Sequence, residues 1–232
     1  MENVTNELFL SKSFEDSLVK NSISAVSELA EVGLDAIMND GLLKEVPFIS
    51  TIISVYRIGK DIHARHSLMK LVVFLNEINF HIADDTKKQR YITKLREKPK
   101  ARQKELEYLL VIIDRYLEAD KPIKLARLYL AYLIDKLTWQ ELCMYSEVIN
   151  RFLINDYNVL SNGEVKLTNY NGNEAILRLE ALGLMAEKRE VDHIIDGGVF
   201  GEPIKEKSDE IRQYIRTDFG NKFVNILNSN EL

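Results

Sequence analysis

The stretch Asn173-Glu-Ala-Ile-Leu-Arg-Leu-Glu-Ala-Leu-Gly-Leu184 reads as a helix with both ends marked. Asn173 offers a side-chain oxygen to the free amides of a first turn. Ala175, Ile176, Leu179 and Leu182 recur at helical spacing, and Gly183 stands where a helix commonly closes in a left-handed residue. After it the period changes. Met185 to Val191 and Ile211 to Arg216 alternate apolar and polar residues as strands do, and a glycine-containing segment, Asp192 to Asp209, lies between them. Thr217 is placed to cap a last helix carrying Phe223, Ile226 and Leu227. Upstream, Val165 and Leu167 alternate with polar neighbours as a short strand would. This order predicts a small α+β domain over residues 157–232, with 122–156 available to supply its first helices.

Before that point the apolar residues return every three or four positions. Ser13 is placed as an N-cap with Glu15 and Asp16 in the first turn, where the helix dipole favours negative charge. Val19, Ile23, Val26, Ala30, Gly33 and Ile37 extend that face to Asn39-Asp40-Gly41. Pro47 suits the first turn of a second helix, whose apolar face runs from Ile49, Ile52, Ile53 and Tyr56 past Gly59 into Leu68, Leu71, Val72, Leu75 and Ile78. Gly59 is the weak point of so long a helix. Asp84-Asp85-Thr86 starts a third helix, and Pro99 ends it by pushing Lys98 out of the helical region. Leu106, Leu109, Leu110, Ile113 and Leu117 mark a fourth, and Asp120 with Pro122 opens a fifth through Leu125, Leu128, Tyr129, Tyr132 and Leu133. Thr138-Trp-Gln-Glu141 has the spacing of a capping box and begins a sixth helix through Leu142, Tyr145, Ile149, Phe152 and Leu153. The expectation is an all-helical domain over residues 1–156, with strands only after Leu160.

Ala175 to Leu184, the two strands after it and Tyr214-Ile-Arg-Thr-Asp-Phe-Gly220 together resemble the C-terminal half of a winged-helix domain. The resemblance covers roughly a quarter of the chain. It implies a mainly α protein, a helical N-terminal domain followed by a small α+β winged-helix-like C-terminal domain. It further implies that the helix before Gly183-Leu184 is the recognition helix, that the strands form the wing, and that Thr217-x-x-Gly220 begins the closing helix. The N-terminal half resembles uncharacterised helical proteins of bacteria and their prophages, some linked to abortive infection. That second resemblance implies a place in antiviral defence or prophage immunity.

Electrostatics tempers the DNA-reading implication. The chain carries 31 basic and 36 acidic residues, a formal charge of −5. From residue 157 to 232 there are 9 basic and 13 acidic side chains, net −4, and the helix itself holds Glu174, Arg178 and Glu180. Neutralising phosphates with Lys and Arg supplies much of the affinity for DNA. Direct readout by Asn173 and Arg178, the recognition-helix candidates, is therefore the weaker expectation, and a protein-binding winged helix the stronger. The densest basic feature lies elsewhere. Between residues 87 and 104 stand Lys87, Lys88, Arg90, Lys94, Arg96, Lys98, Lys100, Arg102 and Lys104, with Glu97 the lone acid, which makes +8 over 18 residues. These nine are polyanion-binding candidates, for nucleic acid, an anionic membrane or an acidic protein surface, set against the plainer reading of a solvated corner.

No reaction constellation is legible. The single cysteine, Cys143, excludes a disulfide scaffold and a multi-cysteine zinc site, and reads as a buried small hydrophobe without a His–Asp partner pattern. His63 and His66 sit three apart with Asp61 nearby, but Arg65 lies between them, and only His81 and His193 could add imidazoles. No metal site is expected. Asp84-Asp85 reads as a cap and Asp114-Arg115 as an exposed step. Gly197-Gly198-Val-Phe-Gly201 lacks the Lys-Ser/Thr of a phosphate loop and reads as the tip of the wing. No cofactor is expected. The start, Met1 to Leu10, has neither the basic residues nor the apolar core of a signal peptide, so the expected compartment is the cytoplasm. The longest uncharged run, Val46 to Tyr56, is eleven residues, short of the roughly 20 a spanning helix needs. The small residues Ser22 to Ala36 and that apolar run read as a buried helix pair, with a membrane-active hairpin as the sharper alternative. The reading is a non-enzymatic interaction protein whose partner is another protein or a second copy. A DNA-binding regulator is the alternative, and a membrane-acting toxic effector the second alternative.

Overall fold

The helical spacing upstream of residue 152 becomes seven helices among the described residues. The computed structural model describes residues 9–19, 46–55, 62–82, 85–167, 173–188 and 212–229. The helices are α1 (Phe9–Val19), α2 (Pro47–Val55), α3 (Ile62–His81), α4 (Asp85–Glu97), α5 (Pro99–Arg115), α6 (Lys121–Leu133) and α7 (Trp139–Arg151). They are followed by α8 (Ile154–Asn162), β1 (Glu164–Leu167), α9 (Glu174–Ala181), β2 (Met185–Glu187), β3 (Arg212–Arg216) and α10 (Asp218–Leu227). The protein is mainly helical with one small sheet, and every strand among the described residues lies after Gly163. Contacts divide the chain into two compact units, residues 1–150 with 229–232, and residues 151–228.

In the first unit α6 is the central element. Leu125, Ala126, Leu128, Tyr129, Leu130 and Ala131 are all fully buried, so this helix is apolar nearly all round. α3 packs along it, and α1 packs on α2, α4 and α5. Phe14 ties these layers together, with its ring 5.0 Å from that of Phe48 and 6.1 Å from that of Tyr129, both edge to face. Burying each such side chain stabilises by about 1.5–3 kcal/mol. The Ser17 hydroxyl accepts the Phe48 amide at 2.8 Å, so the first turn of α2 is capped from α1. The apolar residues Phe48, Ile49 and Ile52 are buried in this core. Lys70 on α3 is buried and donates to the carbonyls of Asp114 at 2.6 Å and Tyr116 at 3.0 Å, satisfying the C-terminal end of α5.

Several local expectations hold. The Glu141 amide donates to the Thr138 hydroxyl at 3.2 Å and the Thr138 amide to the Glu141 carboxylate at 2.8 Å, which is the capping box. α4 stops at Glu97 and α5 restarts at Pro99, with Lys98 at φ −139° and ψ 67°. Others are corrected. Ser13 is no cap, because α1 already begins at Phe9 and the Ser13 hydroxyl donates to the Leu10 carbonyl at 3.0 Å. α7 ends at Arg151, so Phe152 and Leu153 lie beyond it. The continuation of α1 to Gly41, Gly59, Asp61, Asp84, His193, the Gly197–Gly201 turn and the outer ends of the two wing strands lie outside the described residues.

The second unit carries a three-stranded antiparallel sheet in the order β1-β3-β2, with Val165 opposite Tyr214 and Ala186 opposite Ile215. α8, absent from the sequence reading, provides the main support for α9. Ile176, Leu179, Leu184, Met185 and Phe223 are buried, with Phe152 edge-on to Phe223 at 5.7 Å, whereas Leu182 is only half-buried. Asn173 accepts the Ala175 amide at 3.1 Å and Thr217 the Gly220 amide at 3.0 Å, so both expected caps form. Gly183 has φ +72°, the left-handed residue that closes α9. The start of α10 is pressed on that turn. Thr217 donates its amide to Leu184 O at 3.0 Å and its hydroxyl to Gly183 O at 2.7 Å, and a Cβ on Gly220 would stand 2.1 Å from Leu184 O.

Candidate functional site

Two surfaces, one on each unit, gather the residues singled out from the sequence. In the first unit α4 and α5 meet at Lys98-Pro99 and form the corner that holds the nine basic side chains. The structure sorts them. Arg102 turns inward. It is buried, its guanidinium pairs with Glu105 and lies 5.0 Å over the Tyr132 ring, and its Nε finds no partner among the described residues. Burial works against the charged form of Arg102, but the neighbouring Tyr129, Glu105 and Tyr132 outweigh it and raise its pKa. Arg96 donates its Nε to Glu15 at 2.9 Å, which ties α4 to α1. Lys94 pairs with Asp135 at 2.9 Å and Glu97 at 3.5 Å, and the Lys94 ammonium holds the Asp135 carboxyl below its ordinary value. Lys87 and Lys88 are half-buried. Arg90, Lys98, Lys100 and Lys104 stand exposed, and none makes an ion pair with another described residue. The sequence density of +8 therefore reduces to four exposed cations without an ion pair among the described residues, with Arg96 exposed but paired.

In the second unit the candidates sit on α9. Asn173 spends its side-chain oxygen on the helix cap. Arg178 is turned to Asp156, a carboxylate with no exposed surface at the first turn of α8. The Arg178 Nη2 donates to that carboxylate at 2.8 Å and the Arg178 Nε at 3.1 Å, a two-pronged pair. Glu174, one helical turn before Arg178, is more distant at 3.8 Å. Asp156 also accepts the Leu153 amide at 2.9 Å, so one carboxylate caps α8 and anchors α9. The hydrogen bond to Asp156 raises the Arg178 pKa further above its ordinary value. What α9 turns outward is Glu174, Leu177, Glu180 and Ala181, one continuous face with Leu177 55% exposed. Sequence reasoning missed Asp156. Its only signal was its place three residues after Leu153, the N3 position of a capping arrangement.

The remaining candidates are separate from these surfaces. The His66 ring meets the Leu117 carbonyl at 3.1 Å, and His63 is exposed. His81 bonds Glu77 at 3.0 Å on the same helix. Among the described residues no group of His, Cys, Asp and Glu could hold a metal ion. Cys143 is half-buried, and burial raises its thiol pKa, the opposite of an activated nucleophile. Asp114 accepts the Ser67 hydroxyl at 2.5 Å, and Asp85 opens α4. Among the described residues no helix is long and apolar enough to cross a membrane. No protein-family model, curated protein or solved structure matches the chain, so its own surfaces carry the functional reading.

Proposed function

We propose that the chain is a non-enzymatic interaction protein that recognises another protein surface through the outward face of α9. The observation that carries this reading is the division of labour along α9. Its single cation is spent on Asp156, while its outward face presents Glu174 and Glu180 around Leu177. Two carboxylates beside an exposed leucine are repelled by phosphate and suit a cationic, partly apolar protein surface. The connectivity α8-β1-α9-β2-β3-α10 with sheet order β1-β3-β2 supports the winged-helix reading of this unit. The resemblance of the helical half to prophage-associated proteins supports a role in phage defence or prophage immunity.

The four outward cations at the α4–α5 corner favour the second reading, a DNA-binding regulator. Burial of Phe48, Ile49 and Ile52 argues against a membrane-acting effector, since those residues are committed to the core. Electrophoretic mobility of random duplex DNA with the full chain, at two salt concentrations, tests the choice. Unretarded DNA at both salts is the expected result. Retardation that falls steeply with salt would transfer the assignment to the regulator.

A further inference from the structure

We infer that the outward face of α9 docks on the α4–α5 corner of a second copy of this chain, so that the protein self-associates head to tail. This inference rests on the reading of α9 as a protein-binding face and names its partner. The chemistry of each surface specifies the other. Glu174 has 87% of its side chain exposed, and Glu180 and Leu177 stand beside it on the same face. Such a face needs exposed cations that are not already paired. Among the described residues the chain itself presents such cations, since Lys98 caps α5, Lys100 and Lys104 lie on its first turns, and none of the three makes an ion pair there.

The spacings agree. Glu174 and Glu180 are six positions apart on α9, about 9 Å along a helix axis, and Lys100 and Lys104 are four apart on α5, about 6 Å. Two helices crossing at this point bring two carboxylates within reach of three ammonium groups. A polyanionic nucleic acid satisfies only one of the two surfaces and is repelled by the other, whereas a second copy satisfies both. The net charge of −5 on the chain further favours the protein partner over duplex DNA. Because the two faces differ, the contact is heterologous, and it adds subunits unless the rotation closes a ring.

Sedimentation of the full chain from about 1 µM to about 1 mM tests the inference. It is run at about 0.01 M and about 1 M salt, where the screening length falls from about 30 Å to about 3 Å. Three proteins are compared, namely the natural chain, Glu174→Lys with Glu180→Lys, and Lys98→Glu with Lys100→Glu and Lys104→Glu. All five positions are exposed, so thermal midpoints stay close to that of the natural chain and confirm folding. The natural chain is expected to associate with rising concentration at low salt and to dissociate at high salt. Each charge-reversed protein is expected to associate at least about tenfold more weakly, and an equimolar mixture of the two to associate again. A natural chain that stays monomeric throughout overturns the inference, as does association indifferent to both reversals, or a mixture that stays monomeric. The mobility assay on the same proteins separates the two failures. A monomer that leaves DNA unretarded removes self-association and keeps the protein-binding reading, while DNA retarded by the natural chain and released by the lysine reversal removes that reading.

Discussion

Asp156 shows how one buried side chain decides what a neighbouring helix can offer. Its carboxylate is fully enclosed, caps α8 through the Leu153 amide and holds Arg178 in a two-pronged pair. Removing the arginine strands a buried charge, so Arg178→Ala is expected to cost about 3–5 kcal/mol in denaturant unfolding. Asp156→Ala leaves an arginine that reaches water and an uncapped amide, a smaller loss of about 1–2 kcal/mol. The double variant should fall well short of the sum, and a double-mutant cycle measures the difference. A second residue-scale case is Glu77. Burial pushes its carboxyl up, but hydrogen bonds from His81 and Arg127 outweigh that and hold it below its ordinary value. A carboxylate depressed in the folded state stabilises fully above its unfolded-state pKa and loses that contribution as pH falls through the folded one. Glu77→Gln is therefore expected to lower the thermal midpoint near pH 7, with the gap to the natural chain closing below pH about 4.

At the scale of elements, the junction of α9 with α10 is closely packed. Leu184 O receives the Thr217 amide, and Gly220 approaches so closely that a methyl group has no room. Gly220→Ala is expected to destabilise by about 3 kcal/mol or more, read as a shift in denaturant midpoint, because the clash is with backbone. Thr138→Ala, which removes one half of an exposed capping box, should cost only about 1 kcal/mol. The elements legible in the sequence are those whose instructions are local. Thr138 and Glu141, Asn173, Gly183 and Thr217 act on backbone groups within three residues, and Pro99 acts on its immediate neighbour. α8 was illegible for the converse reason. Asn155, Asp156, Asn158, Ser161 and Asn162 are weak helix formers, and its support comes from buried Leu160 and from Arg178 twenty-two positions from Asp156. The candidate corner was half legible. Its charge stood in the sequence, but the inward turn of Arg102 depends on Tyr132, a residue of another helix.

For the molecule as a whole, the two units have different kinds of core. The first is helix on helix around α6, and the second closes a small sheet against α8, α9 and α10. Leu179 is fully buried in the second, so Leu179→Ala is expected to destabilise that unit by about 2–5 kcal/mol. Hydrogen exchange should show the loss in amides of residues 151–228 while amides of α3 and α6 keep their protection. The β1–β3 ladder has a consequence during synthesis. Glu164 pairs with Ile215, and a ribosome adding about 5–20 residues per second needs about 3–10 seconds to travel between them. Over that interval α1 to α7 have already emerged and can pack, whereas β1 waits as a bare edge that any neighbouring chain could pair with. A nascent chain cut short between Glu187 and Arg212 would therefore release the helices of the first unit trailing two strands, β1 and β2, whose shared partner is missing, and the cell's quality control would meet the two parts of one protein as different substrates.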